Sequence, residues 1–543
     1  MADLVPVPAR PNPRKATPEQ LTASDPTVCA WVAASAGSGK TQVLGDRVLR
    51  LLLTGAKPTG ILCLTFTRAA AAEMANRISD RLRHWAVSDE GTLIRNLADL
   101  IGAPPNDEIV RRARGLFAKV LDAPGGMRIE TIHAFCQSLL RRFPLEAQVA
   151  PHFRLIEERE QDELMFEARE RMLIAARNGE SPPLSAALAR VVNRMQEGRL
   201  NELLGEFLRE RDRLTELERR MGAGDALRQA MARALAVPAD ATAESILAEA
   251  CAEHAFDAAL LRRAGQALLR GTQTDQNRGR ALLEWLDHEA ELRAARFDTC
   301  KELYLSKEGE VLKRLATKDA VSAFPDILDV LGAEARRIQA ILERIRAADC
   351  LADSHALTVL ALDIEQRYRR LKVAHAALDY DDLILKARDL LKQRGIAPWV
   401  LYKLDGGLDH ILVDEAQDTN FQQWDLIRAL TGEFFAGEGA ADDRRDDREE
   451  QYPRTIFAVG DRKQSIFSFQ GAEPEAAQKE RDFYAALLPQ GYAPKDPRPP
   501  FVDVPLDTSF RSTGAVLKLV DAVINGPARQ GVLEPGQALV HGV

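Results

Sequence analysis

Apolar and polar positions fall into two regimes along the chain. Towards both ends, short continuous apolar runs alternate with stretches of helical periodicity; between them lies a long stretch of helical periodicity alone. The runs are Val28-Cys29-Ala30-Trp31-Val32-Ala33, Ile61-Leu62-Cys63-Leu64, Ile411-Leu412-Val413 and Ile456-Phe457-Ala458-Val459. Unbroken runs of this length predict strands of a parallel sheet buried on both faces. After the first run, Val43, Leu44, Val48 and Leu49 recur at helical spacing and lead into Leu51, Leu52 and Leu53. Thr17-Pro18 reads as an N-cap followed by proline at the first helical position. Arg128 to Cys136 reads as a short strand running into a helix. Residues 80–124 are helical and polar, broken at Gly102-Ala103-Pro104-Pro105 and at Ala123-Pro124-Gly125-Gly126.

From about 156 to 370 the chain carries Leu, Ala, Arg and Glu at helical spacing with few β-branched runs, which predicts an all-α insertion. The expected organisation is a flexible proline-rich tail (1–16), an α/β domain in two parts (17–155 and 371–500) around that insertion, and the opening of a second α/β domain at 501–543. Pro494 to Pro505 reads as the linker to it, and 442–450 as a mixed-charge surface loop.

Length and composition leave this picture standing. A chain of 543 residues suggests about three or four domains. With 46% hydrophobic and 28% charged residues it is of ordinary globular composition. A net charge of −8 argues against a protein wrapped in nucleic acid, though not against a local basic groove. The six cysteines, Cys29, Cys63, Cys136, Cys251, Cys300 and Cys350, have no metal-like spacing and read as reduced thiols. His133-x-x-Cys136 lacks two further ligands for zinc. No apolar run approaches the ~18 residues of a membrane span, and the N-terminus has no signal-peptide core, so a cytoplasmic protein is expected.

The chemistry begins at Ala34-Ser35-Ala36-Gly37-Ser38-Gly39-Lys40-Thr41. Strand, small-residue loop, Gly-Lys-Thr and helix cradle a nucleoside triphosphate: backbone N–H groups and the helix N-terminus meet the phosphates. Lys40 reaches the β- and γ-phosphates in such a loop, and the Thr41 hydroxyl holds Mg²⁺. Ala34 replaces the first glycine of the strict pattern. Hydrolysis also needs a metal-shell acid and a base for the attacking water. Asp414 and Glu415, at the tip of the run Ile411 to Val413, supply both. Gln20, just upstream of the loop, reads either as an exposed helical glutamine or as an adenine contact, because its amide can donate to and accept from one base edge.

Asp414-Glu415-Ala416-Gln417-Asp418 together with Gly460-Asp461-Arg462-Lys463-Gln464-Ser465-Ile466-Phe467 resembles the UvrD/Rep/RecB group of superfamily 1 DNA helicases. Thr65-Phe66-Thr67, Thr131-Ile132-His133-Ala134-Phe135 and Ser509-Phe510-Arg511-Ser512 match the same group in order. The long helical insertion makes the AddA type, the helicase–nuclease subunit of bacterial AddAB, the most similar. The resemblance covers residues 17–513. It implies a RecA-like P-loop NTPase fold with a 1B-type insertion, ATP and Mg²⁺ as cofactors, single-stranded and duplex DNA as substrates, and an AddB-like subunit in a heterodimer. It implies 3′→5′ translocation in double-strand-break repair. It also assigns residues: Gln464 to the γ-phosphate, Arg511 as a cation supplied to it, and Phe510 to stack on adenine. Phe66, Phe467 and Phe469 would meet single-stranded DNA, and Thr131 and His133 its phosphates. Relatives often have Arg where Gln470 stands. The group's later motifs and a nuclease constellation do not occur in these residues; Asp379-Tyr380-Asp381-Asp382 reads as helix-capping and surface acids. The chain is therefore expected to correspond to an N-terminal portion that binds ATP weakly and unwinds nothing alone. A UvrD-like repair helicase and a non-enzymatic, nucleotide-gated DNA-binding module are the alternatives.

Overall fold

A computed structural model describes residues 16–526, except 36, 223, 394, 405–407, 433, 436–452, 462–473, 493–495, 497 and 511–512. It divides into two compact units, one holding the described residues up to Ile156 and from Ala376 onward, the other Glu157–His375.

The first unit is built on β1 (Cys29–Ala34), β2 (Ile61–Thr65), β3 (Arg128–Thr131), β6 (His410–Val413), β7 (Thr455–Gly460) and β8 (Phe501–Leu506). A separate parallel pair is formed by β4 (Arg154–Leu155) and β5 (Ala377–Leu378). The six strands lie in the order β3-β2-β6-β7-β1-β8, each pair parallel. Successive side chains of a strand point to opposite faces, and both faces are covered. Trp31, Leu62, Leu64, Ile411, Val413, Ile456 and Ala458 join one core. Ala30, Val32, Cys63, Leu412, Phe457 and Val459 join the other. The continuous apolar runs of the sequence are the consequence of this two-sided burial.

Helices α1 (Pro18–Ala23), α2 (Lys40–Leu53), α3 (Arg68–Val87), α4 (Glu90–Ile101) and α5 (Asp107–Leu121) belong to the first part, and α2 to α5 cover the second of these cores. Thr17 caps α1 in a reciprocal box with Gln20, with Pro18 in the first turn. The other face is covered by α6 (Ile132–Arg142) and, beyond the insertion, α19 (Tyr380–Lys392), α20 (Ala397–Lys403), α21 (Phe421–Thr431) and α22 (Pro474–Leu487). Trp424 of α21 stacks on Trp31 of β1 with ring centroids 5.4 Å apart. Asp379 caps α19 through the Asp382 N–H.

The second unit carries α7 (Glu158–Asn178), α8 (Pro182–Val192) and the further helices up to α18 (Ile327–Ala374). Its β structure among the described residues is one isolated antiparallel bridge, Leu305 with Val311. The 48 residues of α18, about 72 Å at the helical rise, form its spine, and α7 and α8 pack along it. Arg190 of α8 clamps two carboxylates one turn apart on α18, Asp349 at 3.2 Å and Asp353 at 2.6 Å.

One expectation is corrected. Residues 501–506, read as the end of a linker and the opening of a second domain, form β8 at the edge of the first sheet, in register with all six residues of β1. Pro505 fits there because an edge strand can spare one N–H. The following helix, α23 (Gly514–Asn525), buries Leu517 while Val516, Leu519 and Val523 are exposed.

Candidate functional site

The phosphate loop leaves β1 at Ala34 and enters α2 at Lys40. Gly37 and Gly39 have φ of 78° and 89°, in the left-handed region that glycine tolerates best. At Gly39 the constraint is double, since a Cβ would lie 3.2 Å from Gln20 Nε2. Gln20 is buried and braces the loop: its Nε2 donates to Ser38 O at 3.2 Å, while its Oε1 accepts the Thr17 N–H at 3.1 Å. The loop is held from a second side, because the Ser35 N–H donates to Leu506 O at 3.1 Å and the Phe510 N–H to Gly37 O at 2.9 Å. Phe510 therefore lies against the loop with its side chain partly exposed.

Opposite the loop, β6 delivers Asp414 and Glu415. Glu415 has φ 50°, an uncommon backbone state for a non-glycine residue that surrounding contacts must enforce. Its N–H donates to Asp414 Oδ1 at 3.0 Å, and its Oε2 lies 2.9 Å from Lys40 Nζ. That ion pair joins residues 375 positions apart. Burial, and then the neighbouring Glu415 carboxylate, push the Asp414 carboxyl up to about 6. Gln417 Nε2 donates to Glu415 Oε2 at 2.7 Å and Asp418 Oδ2 at 3.0 Å, and its Oε1 accepts the Asp461 N–H at 2.8 Å.

These groups fit a triphosphate with Mg²⁺. A buried carboxyl pushed up by burial and by a like charge is a group that a divalent cation returns to its ionised form. Ser38, 1% exposed within the loop, has an Oγ with no hydrogen-bond partner among the described residues, as expected where a polar ligand completes the set. Thr41 in the first turn of α2 and Asp414 at the tip of β6 would hold the metal, and Lys40 the phosphates.

A second group of expected residues also comes together. Phe66, Thr131 and His133 line one cleft of about 150 Å³ at the C-terminal ends of β2 and β3, with Arg68, Gln137 and Tyr380. The Thr131 hydroxyl caps α6 by accepting the Ala134 N–H at 3.2 Å, so that oxygen is partly engaged. The His133 ring meets Tyr380 edge-on at 5.3 Å, and burial lowers its pKa, favouring neutral imidazole. Arg68 is exposed at the first position of α3, where the helix dipole disfavours a cation. That local conflict is the sequence signal that could have singled it out. Nothing local marks Gln137 or Tyr380 as cleft residues. Ala36, Gln464, Phe467, Phe469 and Arg511 lie outside the described residues.

The chain is 28% identical over 495 residues to an ATP-dependent helicase/nuclease subunit of Moorella thermoacetica, covering 85% of this chain and 32% of that protein. Its counterpart in Pelotomaculum thermopropionicum is 25% identical over 534 residues, covering 91% and 37%. That of Bacillus cytotoxicus is 25% identical over 479 residues, covering 82% and 34%. The chain thus spans about a third of the length of these relatives. Residues 16–485 match the UvrD/REP helicase N-terminal domain, and with its phosphate loop and Asp-Glu pair converging across one parallel sheet, the chain belongs to the UvrD/REP helicase family.

Proposed function

We propose that this chain is the ATP-hydrolysing motor portion of an AddA-like DNA helicase acting in double-strand-break repair, translocating 3′→5′ on single-stranded DNA beside an AddB-like subunit. The observation that carries the reading is the Lys40–Glu415 pair at 2.9 Å, which brings the phosphate-binding lysine and the proposed base into one site.

In this reading the loop from Ala34 to Thr41 wraps the phosphates, and Gln20 and Phe510 face the adenine. Thr41 and Asp414 would hold Mg²⁺, which would supply positive charge against the charge developing on the phosphates. Glu415 takes a proton from water as the water oxygen bonds the γ-phosphorus and the bond to the ADP oxygen breaks. Lys40, Gln464 and Arg511 stabilise charge on the transferred group. Phe66, Phe467 and Phe469 stack on bases, an interaction worth about 1–3 kcal/mol per base and indifferent to sequence, while Thr131 and His133 touch the backbone.

The test is phosphate release by the full-length polypeptide with and without single-stranded DNA. Lys40→Ala and Glu415→Gln are each expected to abolish the DNA-stimulated rate, the second while still binding ATP. Unchanged turnover in either variant overturns the assignment.

A further inference from the structure

The mechanism above leaves Gln417 without a task, yet every polar atom of its amide is engaged. Both Nε2 hydrogens go to carboxylates, Glu415 at 2.7 Å and Asp418 at 3.0 Å, and Oε1 takes the Asp461 N–H at 2.8 Å. This fixes the amide's orientation, because a flip would set its oxygen against two carboxylates. The backbone is cut to fit it. A Cβ on Gly460 would lie 2.6 Å from Gln417 Oε1 and 3.2 Å from Gln417 N, although this glycine is in extended strand and needs no special φ. Gly460 lacks a side chain because the Gln417 amide occupies its place.

Among the described residues, Glu415 Oε2 has two donors, Lys40 and Gln417. Lys40 is claimed by the phosphates once a triphosphate is bound, whereas the Gln417 amide, held at its other atoms by Asp418 and Asp461, stays in place as a donor to the carboxylate. We propose that Gln417 is the positioning residue of the site: it keeps Glu415 aimed as base after Lys40 turns to the nucleotide, and ties that aim to the end of β7 through the Asp461 N–H. The inference rests on the assignment of Glu415 as base. It makes the Gly460-Asp461 end of β7 a mechanical partner of the base, so a movement of that strand end is felt at the carboxylate.

Four variants of the full-length polypeptide test this: Gln417→Ala, Gln417→Glu, Gly460→Ala and the double variant Gln417→Ala with Gly460→Ala. Gln417→Ala is expected to lower kcat about 10- to 100-fold, the scale of a mis-set general base, with KM within about twofold. Amide hydrogen exchange at Asp461 should quicken about tenfold as its hydrogen bond is lost. Gln417→Glu keeps an acceptor for that N–H, so protection persists, but it sets a carboxylate against Glu415 and kcat falls at least as far. Gly460→Ala displaces the amide and reproduces the Gln417→Ala phenotype; added to Gln417→Ala it costs less than about another twofold, because the two changes break one interaction. A kcat for Gln417→Ala within threefold of the unaltered protein, a loss shared equally by kcat and ATP affinity, or additive effects in the double variant each overturn the proposal. If the unaltered protein hydrolyses no ATP, the functional reading fails by itself. The exchange measurement then still judges the connector, and unchanged protection of Asp461 in Gln417→Ala overturns it.

Discussion

Asp414 sits at the tip of β6 with its carboxyl pushed up to about 6, first by burial and then by Glu415. A folded-state value above the unfolded one means that the fold binds this proton more tightly than the unfolded chain does. The stabilising contribution is therefore full below the unfolded value near 4 and is lost as pH rises from about 4 through about 6. Asp414→Asn, measured without nucleotide or Mg²⁺, is expected to raise stability at pH 8 by on the order of 1–3 kcal/mol and to be near neutral at pH 4. Thermal unfolding at the two pH values checks it, and an equal effect at both contradicts the cause assigned here. In the cleft, Arg68→Ala should weaken single-stranded DNA binding and lower the salt dependence by about one counterion. Tyr380→Ala should weaken it with the salt slope unchanged; fluorescence anisotropy across a salt series separates the two. Lys40, Asp414 and Glu415 could be named as candidates from the sequence because each lies in a short contiguous pattern whose chemistry is local. Gln417 stood in plain view in such a pattern, but its partner at Asp461 is 44 positions away and nothing in the segment names it.

Most strands were legible as elements because two-sided burial writes a continuous apolar run. Strand β8 is the exception. There, Val502, Asp503 and Pro505 point away from full burial while Phe501, Val504 and Leu506 are buried. An edge strand covered along one face and only at Phe501 on the other carries a broken pattern, and prolines before and within it read as a linker. Its pairing with β1 and the Ser35–Leu506 hydrogen bond make it part of the phosphate loop's support. Ending the chain at residue 495 should therefore strip β1 of a neighbour, expose a row of unpaired backbone groups and abolish ATP binding, whereas ending it at 526 should preserve binding. Solubility and binding of a fluorescent ATP analogue test this. On the face of the sheet to which Trp31 points, Trp424→Ala removes the ring stacked on it from a fully buried position and should cost about 3–5 kcal/mol in denaturant unfolding.

At the scale of the molecule, the helical insertion leaves and re-enters the first unit at one place. The Arg154 N–H donates to Ala376 O at 2.9 Å and the Ile156 N–H to Leu378 O at 3.0 Å, so the two cut ends of the α/β unit are stitched by their own backbone. Replacing residues 157–375 with a flexible linker of roughly a dozen residues, enough for a parallel connection, should leave a unit that folds and binds ATP. Loss of cooperative unfolding in that deletion variant contradicts the independence of the unit. The alternation of apolar runs and helical periodicity already declared a parallel α/β sheet interrupted by helices, and the Gly-Lys-Thr and Asp-Glu patterns declared phosphate chemistry, since burial period and phosphate contacts are properties of a few adjacent residues. The strand order β3-β2-β6-β7-β1-β8 was decided only in three dimensions. So were the partnership of Lys40 with Glu415, the gathering of Phe66, Thr131, His133, Arg68 and Tyr380 around one cleft, and the fit of the Gln417 amide over Gly460. Each depends on which strand ends become neighbours, a long-range outcome of packing that no single segment encodes.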